Sequence, residues 1–172
     1  MNWIYRFSLF LLLFSCTPEE PDQFLATGIS YEVSFGKAKF QADNKQFQKL
    51  NFERASDPIC NQANLEIRGI KRTGDRLLLT VLKKATCQGN YRLVWDGFTQ
   101  ESSPERVQFF LFPEFNSCTQ TDEMVLETIE IDLKKAFYSL DPKVVDRMIL
   151  YIREYCNFVD YLCEGNCEWI KN

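Results

Sequence analysis

Histidine is missing from this chain of 172 residues. Histidine is the commonest general base and metal ligand in proteins, so its absence excludes Ser-His-Asp and Cys-His catalysis and every imidazole metal site. Glycine-rich phosphate loops are also absent, because neither GxGxxG nor GxxxxGK occurs. The cysteines form no CxxC pair and no segment follows the EF-hand pattern, so the sequence predicts neither a metal site nor a cofactor.

A hydrophobic run long enough to span a bilayer is missing as well. The apolar run at residues 7–14 is far shorter than the ~20 residues that a spanning helix needs. Arg6 and the free amino terminus precede this run, and a polar stretch with two prolines follows Cys16. A cationic start, a short apolar run and a small-residue cleavage site are typical of a secretory signal. We therefore predict that residues 1–15 are a signal peptide and belong to no core.

The end of this signal resembles the cleavage box of bacterial lipoproteins, through Leu13, Ser15 and Cys16. The resemblance implies cleavage before Cys16, a diacylglyceryl group on its thiol and an acyl chain such as palmitate on the new amino terminus. Two or three chains anchor a protein stably, whereas one chain binds a membrane only marginally. The residue after Cys16 is Thr17 and not Asp, which is similar to an outer-membrane sorting signal, and the acidic pair at residues 19–20 is similar to a surface-export signal. The expected location is the bacterial cell envelope, at the outer membrane and with possible surface exposure.

The predicted organisation is a signal at residues 1–15, the lipidated Cys16 with a flexible tether to residue 28, and one β-rich domain at residues 29–172. Cleavage leaves 172 − 15 = 157 residues, the length of one ordinary domain. It also removes Arg6, so 20 − 1 = 19 basic residues face 24 acidic residues. This acidic balance argues against nucleic acid as a partner. The expected partners are the membrane, through the lipid on Cys16, and an unidentified protein or glycan.

Six cysteines remain once Cys16 is set aside, and an even number in an exported protein predicts three disulfides. A two-residue turn at residues 73–74 would create a hairpin in which the numbers of facing residues sum to 147. Cys60 and Cys87 obey that sum, so we predict that they are paired and stabilise the fold by about 3–4 kcal/mol. The pairing of the other four is left open by the sequence: Cys118, Cys156, Cys163 and Cys167.

Alternation of apolar and polar residues predicts a mostly β chain. Strands are expected at residues 29–35, with continuation through 37–42, and at 47–54, 65–70, 77–82, 91–95, 107–112 and 125–133. The segment at 107–112 is apolar nearly throughout, which predicts a central strand buried on both sides and ended by Pro113. A brief helical turn is expected near residues 132–137.

Residues 141–163 are compatible with two interpretations. Asp141 and Pro142 form a good helix start, and apolar residues then recur at helical spacing. The same segment is rich in Ile, Tyr, Phe and Val, which favours a strand, and we take the strand as the main prediction. The predicted fold is all-β, a β-sandwich or related antiparallel barrel stapled by about three disulfides. The alternative is an α+β fold with one C-terminal helix.

The sequence features are compatible with three functions. The leading hypothesis is a non-enzymatic, lipid-anchored envelope protein whose β domain binds or scaffolds a partner. The alternative is a small carboxylate-dependent hydrolase that acts on envelope or extracellular polymer. A weaker alternative is a thiol-redox lipoprotein that uses Cys163 and Cys167.

Overall fold

The computed structural model describes residues 29–119, 121 and 123–171. The predicted signal peptide, Cys16 and the tether lie outside the described residues. Within the described residues ten strands form two sheets, and neither sheet closes into a barrel. In spatial order the first sheet contains β1 (Tyr31–Phe35), β2 (Ala38–Ala42), β5 (Gln88–Trp95), β6 (Arg106–Ser117), β8 (Ile149–Glu154) and β9 (Asp160–Cys163). The second sheet contains β10 (Glu168–Ile170), β3 (Glu66–Thr73), β4 (Arg76–Lys84) and β7 (Met124–Asp132).

Four short helices complete the described fold: α1 (Asn44–Glu53), α2 (Pro58–Ala63), α3 (Leu133–Ala136) and α4 (Pro142–Arg147). Each begins after an aspartate whose carboxylate accepts a hydrogen bond from a backbone N–H of the first turn. Such caps satisfy amides that have no partner inside the helix. The brief helix predicted near residue 133 is confirmed as α3.

The prediction of a mostly β sandwich with three disulfides is confirmed, but the sheets are not uniformly antiparallel. The second sheet is antiparallel throughout, whereas β2 pairs with β5 and β6 pairs with β8 in parallel. Parallel neighbours need a long crossover connection. Here the crossovers carry α1, α2 and the β3–β4 hairpin in one case, and β7, α3 and α4 in the other.

The main core lies between the two sheets. In β4 alternate residues are fully buried, namely Leu77, Leu79 and Val81. They face a cluster of aromatic side chains from the first sheet and from Phe137, the residue that follows α3. The Phe137 ring lies 4.7 Å from Phe40 and 5.0 Å from Trp95 between centroids. The period-two pattern seen in the sequence therefore marks the face that each strand turns inward.

A second, smaller core lies on the outer side of the six-stranded sheet, under α1. Phe47 and Leu50 of α1 pack there against Val94 and Phe110. Because Phe109 points into the main core and Phe110 under α1, β6 is buried on both sides as predicted. The strand predicted at residues 47–54 is wrong. These residues form α1 because Asp43 caps a helix there and the buried pair Phe47 and Leu50 is spaced three residues apart.

Pro113 does not end β6, which continues to Ser117. Its neighbour on β5 is Tyr91, whose N–H donates to Lys37 O at 2.8 Å on the opposite side. Tyr91 and Pro113 are thus a pair without mutual hydrogen bonds, so the nitrogen of Pro113 points away from β5. On that side β8 has already ended, since its last partner on β6 is Leu111. Although Pro113 has no N–H, the sheet therefore loses no hydrogen bond between β6 and its neighbouring strands.

Residues 141–163 combine both interpretations. The segment begins as helix α4 behind the Asp141 cap and then becomes β8, followed by β9. The main prediction of a strand is right for the aromatic-rich part, and the helix start at Asp141 and Pro142 is right for the first six residues. Cys156 lies in the bend between the two strands and belongs to neither.

The predicted pairing of Cys60 with Cys87 is wrong. The disulfides are Cys60–Cys156, Cys87–Cys118 and Cys163–Cys167. Cys60 lies in α2, in the small outer core, whereas Cys87 is fully buried in the main core on the other side of the six-stranded sheet.

The hairpin register that suggested this pair is also shifted. Thr73 faces Arg76, so the two turn residues are Gly74 and Asp75 and the facing numbers sum to 149 near the turn. A bulge between Ile67 and Gly69 shifts the register again. Asn64, in the left-handed conformation, ends α2 directly before β3 begins at Glu66, so the chain that carries Cys60 is not part of the ladder.

Candidate functional site

The four-stranded sheet has one face on the main core and one face toward solvent, which we call the outer face. Apolar side chains occupy much of it. Leu126 of β7 is 65% exposed and Ile170 of β10 is 67% exposed, and Leu78 and Leu82 of β4 are half-buried between them. Single exposed apolar residues are ordinary, but a contiguous group on one sheet face is typical of an interaction surface.

A groove of about 430 Å³ crosses the outer face between Leu82, Leu126 and Ile170. Its floor is open because Gly69 stands where other outward positions of β3 carry a side chain. A Cβ atom added to Gly69 would lie 3.3 Å from the Cβ atom of Thr80, so a larger residue would crowd the strand beside it. Gly69 therefore keeps the groove open.

Ion pairs surround this groove. Arg68 bonds Glu66 at 2.8 Å and Lys71 bonds Glu168 at 3.1 Å. Lys171 also contacts Glu66. Exposed pairs of this kind contribute about 0–1 kcal/mol each, so their effect on stability is small. An apolar centre with a charged, solvated rim is the arrangement found in protein interfaces.

The β7 strand forms a free edge of the same sheet. Leu133 N–H donates to Asp75 O and Ala85 N–H donates to Glu123 O, so odd-numbered residues direct their backbone groups toward β4. Antiparallel pairing alternates, and the backbone groups of Leu126, Thr128 and Glu130 therefore point away from β4. Within residues 29–119, 121 and 123–171 these three have no backbone partner.

A cleft of about 560 Å³, which we call the edge cleft, separates this free edge from the β1–β2 turn. One wall is formed by residues 35–38, and the other by residues 127–130 with Asp132. Consecutive residues of a strand have side chains on opposite faces, so a cavity that contacts 127, 128, 129 and 130 must run along the strand edge itself.

A carboxylate, Glu127, lies where the edge cleft meets the core. Tyr91 donates its hydroxyl hydrogen to Glu127 at 2.8 Å, Lys83 Nζ lies 3.4 Å away, and Lys37 contacts it across the cleft. Burial by itself raises the pKa of Glu127, but the hydrogen bonds from Lys37 and Tyr91 and the Lys83 charge outweigh burial, so its pKa is lowered. Glu127 is therefore an ionised carboxylate paired with two lysines, and it is unsuited to act as a general acid at neutral pH.

Two buried carboxyl groups have raised pKa values, but neither lines the groove or the edge cleft. Burial is the main cause for both Asp96 and Glu154, and their hydrogen bonds oppose it. Asp96 accepts from the Phe98 N–H and from Gln108. Glu154 is completely buried at the end of β8. Because a polymer cannot reach Glu154, the two groups do not form the paired carboxylates that glycoside hydrolysis needs.

The buried Glu154 predicts a pH-dependent stability. Its carboxyl accepts from Ile67 N–H at 3.2 Å, Asn157 at 2.7 Å and Tyr161 at 3.1 Å. A raised folded-state pKa means that this group's contribution is complete below the unfolded value of about 4.3 and is lost as pH rises through the folded value. The loss has a slope of at most about 1.4 kcal/mol per pH unit, the value for one proton.

Glu154→Gln should therefore become more stable relative to the wild-type chain as pH rises from 4 to 8. Glutamine can accept from Ile67 and Asn157 through its carbonyl oxygen and donate to the Tyr161 hydroxyl. Urea unfolding at several pH values measures the difference. Parallel stability–pH curves for the two proteins would show that Glu154 titrates alike in the folded and unfolded chain.

The structure distributes the predicted site residues over three places. Cys60–Cys156 joins α2 to the β8–β9 bend, and Cys87–Cys118 joins the connections that follow β4 and β6. Cys163–Cys167 joins the last residue of β9 to the residue before β10. Cys163 is 1% exposed, which does not favour the exposed disulfide that a thiol-redox role needs. Cys16 lies outside the described residues.

Sequence reasoning missed the outer face. A signal for it exists in β4, where residues 77–82 are apolar on both faces except for Thr80. A half-exposed strand should alternate, so this run indicated that the solvent-side face is apolar too. The role of Gly69 and the free edge of β7 had no sequence signal, because both depend on which strands become neighbours.

No protein-family model, curated protein or solved structure matches the chain. Among the described residues, no cluster of three or more Cys, Asp or Glu side chains is placed to hold a metal ion. None of the helices in that part of the chain is long and apolar enough to cross a membrane.

Proposed function

We propose that this protein is a lipid-anchored component of the bacterial cell envelope that binds a partner through the outer face of its four-stranded sheet, without catalysis. The observation that carries the binding function is the groove on that face, whose apolar walls include Leu126 and Ile170, both about two-thirds exposed. The resemblance of residues 1–16 to a lipoprotein signal supports the anchor. Three disulfides support an oxidising compartment outside the cytoplasm.

The groove favours binding over hydrolysis. Its walls and floor are mainly apolar, and its charges are paired at the rim. A hydrolase of polymers would need two accessible carboxyl groups facing the same bound sugar. The accessible carboxylates beside the groove, Glu66 and Glu168, are already paired with arginine or lysine.

A photo-crosslinking experiment in intact cells tests both parts of this proposal. Ile170 is replaced by the photoreactive residue p-benzoylphenylalanine, and the matched control carries it at Phe52, which is 91% exposed on α1 beyond the other sheet. We expect a discrete crosslinked product from the first position and none from the second. We also expect the chain in the membrane fraction, and Cys16→Ser should move it to the soluble fraction.

The outcomes separate the two parts. Equal crosslinking at both positions, or crosslinking at Phe52 alone, would contradict binding at the outer face. A chain that stays in the membrane fraction after Cys16→Ser would contradict lipid anchoring.

A further inference from the structure

We infer that the free edge of β7 binds an extended peptide segment of a partner protein, which joins the four-stranded sheet as a fifth strand. The inference rests on the proposed binding function and specifies its mode. Strand addition needs an accessible edge, unpaired backbone groups and space for alternate side chains. The structure offers all three at β7.

The edge is long and regular. β7 pairs with β4 over nine consecutive residues without a register shift, and it contains neither proline nor glycine. Proteins commonly blunt edge strands with bulges, prolines, short length or inward-pointing charges. β7 lacks the first three, and its inward-pointing charge, Glu127, is paired with Lys83. The backbone groups of Leu126, Thr128 and Glu130 can form hydrogen bonds with an added strand, at every second residue of β7.

The edge cleft provides the space. Its volume of about 560 Å³ is within the range of peptide and ligand pockets. An added strand would direct one set of side chains toward Phe35 and Ile129 in the cleft. It would direct the other set beside Leu126 and Thr128, where they extend the apolar outer face. One segment would thus occupy both the cleft and the margin of the groove.

The Lys37 side chain is the contact that crosses this space to reach Glu127. Lys37 is 68% exposed, so it can move aside without uncovering core. Glu127 keeps Lys83 and Tyr91 as partners when Lys37 leaves. Entry of a strand therefore leaves no buried carboxylate without a partner.

The acidic residues of β7 favour a basic peptide segment as the added strand. β7 carries Glu127, Glu130 and Asp132 and no basic residue. Glu130 pairs with Arg76 and Asp132 with Lys135, but such exposed pairs contribute only about 0–1 kcal/mol each. Pairing with β7 of a second copy would therefore still bring six carboxylates onto one two-stranded ladder, which disfavours self-association. A segment with apolar residues at every second position and a lysine or arginine opposite Glu130 fits better, because opposite charges across a strand pair contribute about 0.2–1 kcal/mol.

Amide hydrogen exchange on the full-length chain tests this inference. The probe is a capped synthetic peptide, Lys-Val-Thr-Val-Thr-Val-Lys, and the matched probe has N-methylated valines that cannot donate hydrogen bonds. We expect the first probe at saturation to slow exchange at Leu126, Thr128 and Glu130 at least tenfold. The N-methylated probe should leave these rates unchanged.

Variants of Thr128 give a second readout. Because its N–H points away from β4, Thr128→Pro removes an edge donor without breaking the existing ladder. We expect Thr128→Pro to raise the dissociation constant of the first probe at least tenfold, and Thr128→Val to stay within twofold of the wild-type chain. A thermal unfolding curve for each variant shows whether the fold is kept, and the exchange result on the wild-type chain stands without either variant.

Other outcomes would overturn the inference. Slow exchange at these amides without peptide, increasing with protein concentration, would assign the edge to a second copy. Peptide binding with no protection of the three amides would place the peptide elsewhere. If Ile170 crosslinks in cells while the edge amides stay unprotected, strand addition fails and the proposed function stands. If Ile170 does not crosslink, the proposed function itself fails.

Discussion

Replacing Cys60 and Cys156 together by alanine should lower the free energy of unfolding by about 4.7 kcal/mol, the value that the chain-entropy model gives for a loop of about 100 residues. The two cysteines are separated by 96 positions in sequence, so the reduced unfolded chain gains a large conformational freedom. The bond also joins α2, which contributes Cys60 to the small outer core, to the bend after β8. Guanidinium unfolding without reductant, followed by circular dichroism, measures the change.

The other two disulfides serve as matched controls. Cys87 and Cys118 are 31 positions apart, and Cys163 and Cys167 only four. The same model gives about 3.7 kcal/mol for the first pair and about 2 kcal/mol for the second. We therefore expect the three double-alanine variants to rank by loop length. A loss for the Cys163 and Cys167 variant as large as that for Cys60 and Cys156 would show that loop closure is not the dominant effect.

Arg72→Met should destabilise the fold by about 2–6 kcal/mol, because two buried carbonyls lose their donors at about 1–3 kcal/mol each. Arg72 is 2% exposed on β3, and its guanidinium donates to Met148 O at 2.6 Å and to Val145 O at 2.7 Å. It also donates to Gly74 O at 3.1 Å. These bonds fasten the end of α4 and the β3–β4 turn together.

Burial lowers the pKa of the Arg72 guanidinium, and the nearby Asp146 opposes that shift. The positive charge is placed at the carboxyl end of α4, where the helix dipole favours a cation. A methionine of similar length fills much of the space but satisfies none of the carbonyls, so packing alone does not compensate for the loss.

Arg76→Met is the matched control for Arg72→Met. Arg76 lies three residues beyond the β3 end of the same hairpin, and its pair with Glu130 has both side chains more than half exposed. Such a pair contributes about 0–1 kcal/mol. Urea unfolding of both variants separates the two effects. Similar losses for the two arginines would contradict a specific role for the buried guanidinium at the end of α4.

The strands could be predicted because the alternation of apolar and polar residues within each strand shows which of its side chains are buried. The bounds of β1 to β5 and of β7 lie within three residues of the predicted ones, whereas β6 continues to Ser117, five residues beyond its predicted end. The failures occur where a segment's partner lies far away in sequence. Phe47 and Leu50 form a short apolar stripe that is compatible with either a strand or a helix, and the Asp43 cap with the surface offered by Val94 and Phe110 makes it α1.

The candidate site was the least predictable part of the molecule. Leu126 and Ile170 are 44 positions apart, and they line the same groove only because β7 and β10 belong to the same narrow sheet. A sequence pattern states which side of a strand is apolar but not which strands become neighbours. The edge cleft depends further on the placement of the β1–β2 turn beside β7, which no local pattern encodes.

By itself the sequence determined the mostly β class, the six cysteines that follow Cys16 and the lack of histidine chemistry, because these depend on composition and on short-range periodicity. It also carries the lipoprotein resemblance around Cys16. Only the tertiary structure decided the partners of Cys60 and Cys87, the floor made by Gly69 and the free edge of β7. Pairing of distant segments results from the packing of the whole chain, and a sheet's neighbours decide which backbone groups are left to bind something else.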